Sequence, residues 1–205
     1  MKKIYDKEVI NSYLEKLHLE EWFETKALDF FVMKYEPGEF LSQPQQTIEY
    51  FQFIVRGSAS LYYADENGDR RNVTVMEKGD LLGDMEFVLG NMPFFYTEAL
   101  SPVSVLALPI EKNRERLAQD CGFLMYLLKQ AARVKIFSAR NAVVMPRLEE
   151  RLLYYLKNEC PRQTLIGMET AAARLQCSRR QLQRVVKKLE EEGKIMKKGR
   201  GCYCL

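Results

Sequence analysis

The chain has 205 residues, of which 47% are hydrophobic and 29% are charged, a composition typical of a globular protein with one large or two smaller domains. No apolar run reaches the length of a membrane span, and the sequence shows no signal peptide. The five cysteines are odd in number and scattered, which favours free thiols in a reducing cytoplasm over a disulfide framework.

The net charge of +3 is unevenly distributed along the chain. From Met145 to Leu205 there are 14 Lys and Arg against 7 Asp and Glu, a net charge of +7, whereas the rest of the chain has a net charge of −4. Basic charge concentrated in one segment indicates a surface that neutralises nucleic-acid phosphates.

The first half of the chain is predicted to form a helical segment followed by strands. Residues 1 to about 34 mix polar and apolar positions at helical spacing. From Tyr35 to Pro109, short apolar runs such as Phe51–Val55 and Ala59–Tyr63 are separated by glycines, and Asn67-Gly68 predicts a hairpin turn. Strands at intervals of roughly ten residues predict an antiparallel sandwich or barrel.

A long helix is predicted from about Cys121 to Val144, because this segment lacks Gly beyond its first turn and lacks Pro. The helix is predicted to serve as a core element, as a partner helix, or as both, and a homodimer contact is favoured. Met145-Pro146 ends it and predicts a hinge. Apolar residues near heptad spacing define the predicted seam: Phe123, Leu124, Leu127, Leu128, Ala131, Val134, Phe137 and Ser138.

The C-terminal segment predicts a helix-turn-helix with a wing. An amphipathic helix carrying Leu148, Leu152, Leu153 and Leu156 precedes a short alanine-rich helix at Met168–Leu175. A turn of about three residues separates that helix from a second one, which begins at the capping box formed by Ser178 and Gln181. Glycine at Gly193 ends the second helix, and Met196–Tyr203 predicts a basic hairpin.

The apolar and the basic residues of the second helix lie on two different faces. Its apolar stripe consists of Leu182, Val185, Val186 and Leu189, and its basic face consists of Arg180, Gln183, Arg184 and Lys187, with Arg179 beside them. Residues in the first turns of such a helix contact base edges, and arginine can donate two hydrogen bonds to guanine. A charged face can also be merely solvated, but the preceding helix and the wing favour DNA binding.

The order of strands, long helix, hinge and winged helix resembles the CRP/FNR superfamily of bacterial transcription regulators over nearly the whole chain. The resemblance implies an α+β fold: an N-terminal antiparallel β-roll (double-stranded β-helix or jelly roll) with flanking helices, a long dimerisation helix and a C-terminal winged helix. The pattern of the sequence as a whole resembles the YeiL-type or PrfA-like branch of this superfamily. Two motifs carry the likeness: Cys177-Ser178-Arg179-Arg180 with Arg184, Leu189, Glu190, Gly193 and Ile195, and the glycine frame Pro37-Gly38-Glu39, Val55-Arg56-Gly57, Asn67-Gly68, Lys78-Gly79-Asp80 and Leu82-Gly83-Asp84.

The resemblance also implies a domain division and DNA-contacting residues. It divides the chain into a cyclic-nucleotide-binding-like sensor domain at 1–110, a dimerisation helix and hinge at 111–145, and a winged helix-turn-helix domain at 146–205. Arg179, Arg180 and Arg184 would contact base edges, and Ser178 and Gln181 would contact phosphate or base edges. Backbone contacts would come from Thr170, Lys198 and Arg200. Gln176 departs from the family, because many relatives have a turn glycine there.

The same resemblance locates a candidate effector pocket. Relatives that sense cyclic AMP use a Gly-Glu pair and, after a short helix, an Arg-Ser pair for the cyclic phosphate. Gly83-Asp84 retains the first pair, but Phe94-Phe95 stand at the second. Burying a phosphate without a counter-charge is costly, so the sequence predicts no response to cyclic AMP or cyclic GMP. Either Phe94, Phe95 and Tyr96 fill the roll, or they line an apolar pocket for an uncharged or aromatic ligand.

Other sensing chemistries and catalysis have little support in the sequence. The family's oxygen sensors hold an iron–sulfur cluster on cysteines near the N-terminus, but this chain has no cysteine before Cys121. The single histidine, His18, is expected to be an ordinary surface or packed residue. Cys177 is expected to pack inward, while Cys202 and Cys204 are a candidate thiol switch. Asp84 and Glu86 are interpreted as exposed turn residues or as a remnant of the phosphate-binding cassette. No enzyme activity, cofactor or metal is predicted.

Two functions are therefore weighed. The first is a sequence-specific DNA-binding transcription regulator that acts as a homodimer on a palindromic site. The second is a small-molecule or redox-sensing signalling module whose winged helix makes protein contacts. For the first function, the family resemblance adds RNA polymerase as a partner, and an unknown small-molecule effector stays open.

Overall fold

The computed structural model describes residues 1–64, 69–90, 93–143, 147–199 and 201–205, with the backbone alone at 137–143. The predicted hairpin turn at Asn67-Gly68, the predicted hinge at Met145-Pro146 and the wing residue Arg200 lie outside these ranges. Contacts divide the chain into two compact units, Met1–Ala59 with Met76–Asn141, and Ser60–Val75 with Ala142–Leu205. Within the described ranges, no helix is long and apolar enough to cross a membrane.

The strands of the first half form antiparallel sheets without a closed barrel, as the predicted α+β fold with a β-roll requires. One sheet has the strand order β1-β2-β9-β4-β7, and another has the order β3-β8-β5-β6. The predicted strand runs at Phe51–Val55 and Ala59–Tyr63 fall within two of these strands. The bounds are β1 Lys2–Ile4, β2 Phe31–Tyr35, β3 Phe40–Ser42, β4 Tyr50–Arg56, β5 Ala59–Ala64, β6 Arg70–Met76, β7 Leu81–Leu82, β8 Tyr96–Ala99 and β9 Val103–Pro109.

Helices flank the sheets and dominate the second half. Short 3₁₀ turns lie at Leu19–Glu21 and Pro161–Gln163. The bounds of the helices are α1 Lys7–Leu17, α2 Asp84–Leu89, α3 Ile110–Ala118, α4 Cys121–Val143, α5 Leu148–Asn158, α6 Met168–Arg174 and α7 Arg179–Glu191. A small sheet with the strand order β10-β12-β11 accompanies them, formed by β10 Thr164–Ile166, β11 Met196–Gly199 and β12 Cys202–Cys204.

The prediction of helix throughout residues 1–34 was wrong at both ends. Lys2–Ile4 forms β1 and pairs antiparallel with β2, with Lys3 opposite Met33. Helix α1 begins only after Asp6, whose carboxylate accepts hydrogen bonds from the backbone N–H groups of Glu8 and Val9 at 2.9 and 3.2 Å. Strand pairing between distant segments satisfies the backbone groups of β1, and this partner cannot be inferred from local spacing.

The core of the first unit is a cluster of aromatic rings. Phe23 from the N-terminal segment, Phe51 from the sheet and Phe87 from α2 pack against Phe123 of α4, and Phe53 belongs to the same cluster. The ring centroids of Phe23 and Phe123 are 5.1 Å apart, and those of Phe51 and Phe123 are 5.2 Å apart. The first turns of α4 therefore belong to the same hydrophobic core as the sheet.

The predicted seam of α4 divides into two sets. Phe123 and Leu127 are buried in the core, which confirms the core role that the sequence left open for α4 and leaves these two residues out of any partner contact. Leu124, Leu128 and Val134 are 38%, 62% and 65% exposed, and Ala131 is exposed as well. The side chains of Phe137 and Ser138 lie outside the described part. A homodimer contact through the exposed set stays a prediction.

Asp120 fixes the start of α4. Its carboxylate accepts hydrogen bonds from the backbone N–H groups of Phe123, Glu24 and Thr25 at 2.8, 3.2 and 2.7 Å. Burial by itself would raise the pKa of Asp120, but these donors hold that pKa below its ordinary value. The residue thus ties the N-terminal segment to the long helix.

Replacing Asp120 with Ala is expected to lower the free energy of unfolding by about 1–3 kcal/mol, because three backbone donors lose their acceptor. Since the folded pKa of Asp120 is depressed, its contribution is present above the ordinary carboxyl pKa and is lost as pH falls through the folded pKa. Urea denaturation at several pH values measures both effects. Asp29→Ala, which removes an exposed ion pair with Lys112, is the control and should change little. Equal losses in both variants would contradict this role.

Candidate nucleic-acid interface and effector pocket

The helix-turn-helix rests on close packing between α6 and α7. Ala171, Ala172 and Ala173 of α6 are fully buried, and small side chains at a crossing allow two helices to approach closely. Leu182, Val186 and Leu189 of α7 are also buried, together with Leu152 and Leu156 of α5. These contacts confirm the predicted apolar stripes of α5 and α7.

The predicted capping box forms at the start of α7. The backbone N–H of Ser178 donates to Oε1 of Gln181 at 2.9 Å, and the backbone N–H of Gln181 donates to Oγ of Ser178 at 3.1 Å. Both acceptor atoms are therefore engaged within the helix. Contacts of these two side chains with DNA would have to use their remaining donors, the Ser178 hydroxyl and the Gln181 amide nitrogen.

The basic face of α7 is exposed, as predicted. Arg180, Gln183, Arg184 and Lys187 all lie on the exposed side of the helix. In the part of the chain that the structure describes, Arg180 and Arg184 form no ion pair, while Arg179 lies 3.8 Å from a carboxylate oxygen of Glu169. The two unpaired guanidinium groups are thus available to an external acceptor.

The wing follows α7 directly. Helix α7 ends at Glu191, Gly193 has a φ of 69°, and β11 and β12 then form an antiparallel hairpin with an irregularity between Lys197 and Gly199. Lys198 is exposed on β11, whereas Thr170 on α6 is half-buried. The structure thus confirms the predicted order of amphipathic helix and hairpin.

Gln176 adopts the left-handed backbone conformation in the turn between α6 and α7, with a φ of 49°. A side chain at this φ is strained by roughly 1–2 kcal/mol relative to glycine. The turn therefore keeps its left-handed residue although Gln176 replaces the family's glycine, and the backbone of Gln176 is strained.

Gln176→Gly is expected to raise the free energy of unfolding by up to about 1 kcal/mol, because relief of strain exceeds the added entropy of the unfolded chain. Thermal or urea denaturation measures the change. Gln183→Gly is the matched control, since Gln183 is exposed in the interior of α7, and it should instead destabilise by about 1 kcal/mol. Destabilisation by both variants would show that the turn is not strained.

Two side chains that the sequence did not single out hold the carbonyl groups of this turn. Nδ2 of Asn72 donates to the carbonyl oxygen of Cys177 at 2.7 Å, and the guanidinium of Arg151 donates to the carbonyl oxygen of Leu175. Asn72 is 9% exposed and belongs, through β6, to the same compact unit as the winged helix. No local pattern marks Asn72, because its partner lies 105 residues further along the chain.

The strand pair β5–β6 also provides charged partners for this region. Nε of Arg70 donates to Oδ1 of Asn72 at 3.0 Å, and the Arg70 guanidinium lies 3.7 Å from a carboxylate oxygen of Glu169. Glu169 therefore lies beside both Arg70 and Arg179. Arg179, the first residue of α7, is in this way connected through Glu169 to β6, which is distant in sequence.

At the candidate effector pocket, Gly83 has the backbone conformation that favours glycine, whereas the neighbouring carboxyl groups are not exposed as predicted. Gly83 has a φ of 93°, and a Cβ atom there would approach the backbone oxygen of Tyr50 to 2.9 Å. Asp84 and Glu86 lie half-buried in the first turn of α2, where burial raises the pKa of both carboxyl groups. Their interpretation as exposed turn residues was therefore wrong.

The aromatic residues at the Arg-Ser positions do not fill the roll together. Phe94 is 66% exposed, and Phe95 and Tyr96 are only half-buried. Filling of the roll by all three rings was thus a wrong expectation for Phe94. The alternative, a pocket lined by Gly83, Asp84, Phe94 and Phe95, stays a prediction.

The remaining candidates are accounted for by ordinary packing. His18 is a surface residue whose Nδ1 lies 3.4 Å from Glu21, and Cys177 is buried, which raises its pKa to about 11. All five cysteines are free, and Cys204 is buried, so a thiol switch at Cys202 and Cys204 stays a hypothesis that this burial disfavours. Among the described residues, no group of three or more His, Cys, Asp or Glu could hold a metal ion.

Comparison with known proteins relates the chain to one family of domains and to one kind of regulator. Residues 32–120 match the cyclic nucleotide-binding domain family, which fits a β-roll regulatory domain followed by a winged helix. Over 193 residues the chain is 24% identical to the cAMP-activated global transcriptional regulator CRP of Pasteurella multocida, covering 88% of this chain and 91% of that protein.

Solved structures support the same fold. A putative CRP/FNR-family transcriptional regulator from Eubacterium rectale matches with a TM-score of 0.70 and 15% identity over 86% of this chain and 85% of that chain. A CRP/FNR-family transcriptional regulator from Thermus thermophilus matches with a TM-score of 0.60 and 20% identity over 85% and 92% of the two chains. Together these findings support the predicted resemblance to transcription regulators of the CRP/FNR superfamily.

Proposed function

We propose that the protein is a homodimeric regulator that binds a palindromic DNA site sequence-specifically and does not use cyclic AMP as its signal. The observation that carries this proposal is the exposed basic face of α7, which begins at a formed capping box and includes two arginines without a carboxylate partner in the described part. Two such helices about 34 Å apart would enter successive major grooves of DNA. The concentrated charge of the segment from Met145 to Leu205 supports phosphate binding.

DNA binding is tested by fluorescence anisotropy with the purified protein and DNA fragments enriched from a randomised pool. The proposal expects enrichment of one palindromic sequence and an affinity that falls steeply with salt, because counterions are released from phosphates. A salt-independent or sequence-independent signal would favour the second function, a signalling module whose winged helix makes protein contacts. Lys112→Ala, which removes an exposed lysine of the other unit, is the control and should leave affinity unchanged.

Independence from cyclic AMP rests on the residues at the Arg-Ser positions. The Pasteurella multocida relative is cAMP-activated, but here Phe94 and Phe95 provide no positive charge for the cyclic phosphate. Asp84, half-buried nearby in sequence, would repel the phosphate when ionised.

Isothermal titration with cyclic AMP is accordingly expected to give no saturable heat, and the DNA affinity is expected to be the same with and without the nucleotide. Cyclic GMP should behave in the same way, since both share the cyclic phosphate. Micromolar binding of either nucleotide would overturn this part of the proposal while leaving the DNA-binding part intact.

A further inference from the structure

A cleft of about 200 Å³ lies in the first unit, beside the N-terminal half of α4. Four of its lining residues come from that helix, and the others come from the end of α1, the residue that follows the adjacent 3₁₀ turn, and the loop before β7. No lining residue is acidic. The lining consists of Leu17, Trp22, Gly79, Tyr126, Lys129, Gln130 and Arg133.

Aromatic rings form one wall of this cleft. The ring centroids of Trp22 and Tyr126 are 5.6 Å apart with an interplanar angle of 53°, and Trp22 is half-buried. Gln130 lines the cleft beside these rings. Tyr126 is 7% exposed, so an aromatic ligand would contact this wall mainly at the half-buried Trp22 ring. Stacked or tilted aromatic pairs are favourable beyond their buried area.

Two cationic side chains border the same space. Nζ of Lys129 lies 4.2 Å from the centroid of the Trp22 ring, and Arg133 follows one helical turn later on the same face of α4. Neither residue forms an ion pair within the described ranges. Like charges at this spacing repel each other, so an oxyanion between them would remove an unfavourable interaction.

Nearby carboxylates restrict where an oxyanion can lie. Asp80 and Asp84 contribute to the raised pKa of Tyr126, although burial is its main cause. Neither carboxylate lines the cleft, and Asp80 accepts a hydrogen bond from the backbone N–H of Glu77 at 2.7 Å. An oxyanion is therefore accommodated at the end of the cleft next to Lys129 and Arg133.

The cleft also lies away from the exposed apolar face of α4. At 100° per residue, Tyr126, Gln130 and Arg133 lie on one side of the helix, and Leu124, Leu128 and Ala131 lie on the opposite side. A second copy that packs on the apolar face would thus leave the cleft open.

We propose that this cleft binds a small planar aromatic compound carrying an oxyanion group, with the ring against Trp22 and Tyr126 and the oxyanion between Lys129 and Arg133. The site is distinct from the candidate pocket at Gly83 and Asp84. The proposal does not depend on DNA binding.

Trp22 is the only tryptophan of the chain, so its fluorescence reports directly on this cleft. Titrating the full-length protein with benzoate and with phenyl phosphate at millimolar concentrations is expected to change that fluorescence saturably for at least one probe. The probe that binds more tightly distinguishes a carboxylate from a phosphate. Benzamide, which has the ring without the charge, is expected to produce no saturable change.

Lys129→Gln and Arg133→Gln are each expected to weaken binding about tenfold, because a charge-assisted hydrogen bond is lost. Both side chains are exposed, so the fold is retained. Lys135→Gln, an exposed lysine of α4 on the opposite side, is the matched control and should bind like the unmodified protein. The proposal fails if neither charged probe saturates, if benzamide binds as well as they do, or if the three variants bind equally.

Discussion

Replacing Leu128 with Glu is expected to convert the protein from a dimer into a monomer and to lower its affinity for a full palindromic site by about 100- to 10,000-fold. Leu128 is 62% exposed, and it shares one face of α4 with Leu124 and Ala131. A chain that loses its partner binds one half-site alone and thus loses the second, effectively intramolecular binding event.

Light scattering after gel filtration measures the mass against the chain mass of 24.0 kDa, and anisotropy measures the DNA affinity. Val88→Glu is the matched control, because Val88 is similarly exposed at 65% but lies on α2. It should remain dimeric and bind DNA as the unmodified protein does. A Leu128→Glu protein that is still dimeric would exclude this face of α4 as the dimer contact.

Replacing Arg184 with Ala is expected to weaken binding by about 1–3 kcal/mol per half-site and to remove the preference for one base at one position of each half-site. Arg184 is exposed on the basic face of α7 and forms no ion pair with any residue described. Its planar group can donate two hydrogen bonds to guanine, which alanine cannot replace. The effect should therefore depend on the sequence of the DNA.

Anisotropy with the selected site and with single-base variants of it measures this preference. Lys198→Ala is the comparison, since Lys198 is exposed on the wing and is predicted to contact phosphate. Its loss should weaken binding to all sequences alike and reduce the slope of affinity against salt. If Arg184→Ala also weakens all sequences equally, Arg184 contacts phosphate rather than a base.

The winged helix could be predicted in detail because its determinants are local. The Ser178–Gln181 capping box, the apolar stripe of α7 and the glycine after its end lie within one segment of the sequence. Each of them acts through hydrogen bonds or burial over three or four residues, and helical spacing reports such relations directly.

The first thirty residues and the seam of α4 were predicted less well. Lys2–Ile4 becomes a strand because a partner strand about thirty residues later satisfies its backbone groups. Phe123 and Leu127 fit the spacing of a seam equally well, but the aromatic core of the sheet buries them. A periodic pattern identifies an apolar face and cannot identify what covers it.

By itself, the sequence indicated the resemblance to the superfamily, the basic face of α7 and the missing Arg-Ser pair, since each depends on residue types at short spacing. Only the tertiary structure revealed the hydrogen bond of Asn72 to Cys177, the exposure of Phe94 and the cleft at Trp22. These features join residues that are remote in the chain, and they exist only when folding brings the segments together. The physical reason is that hydrogen bonds and burial depend on distance in space, which the order of residues does not specify.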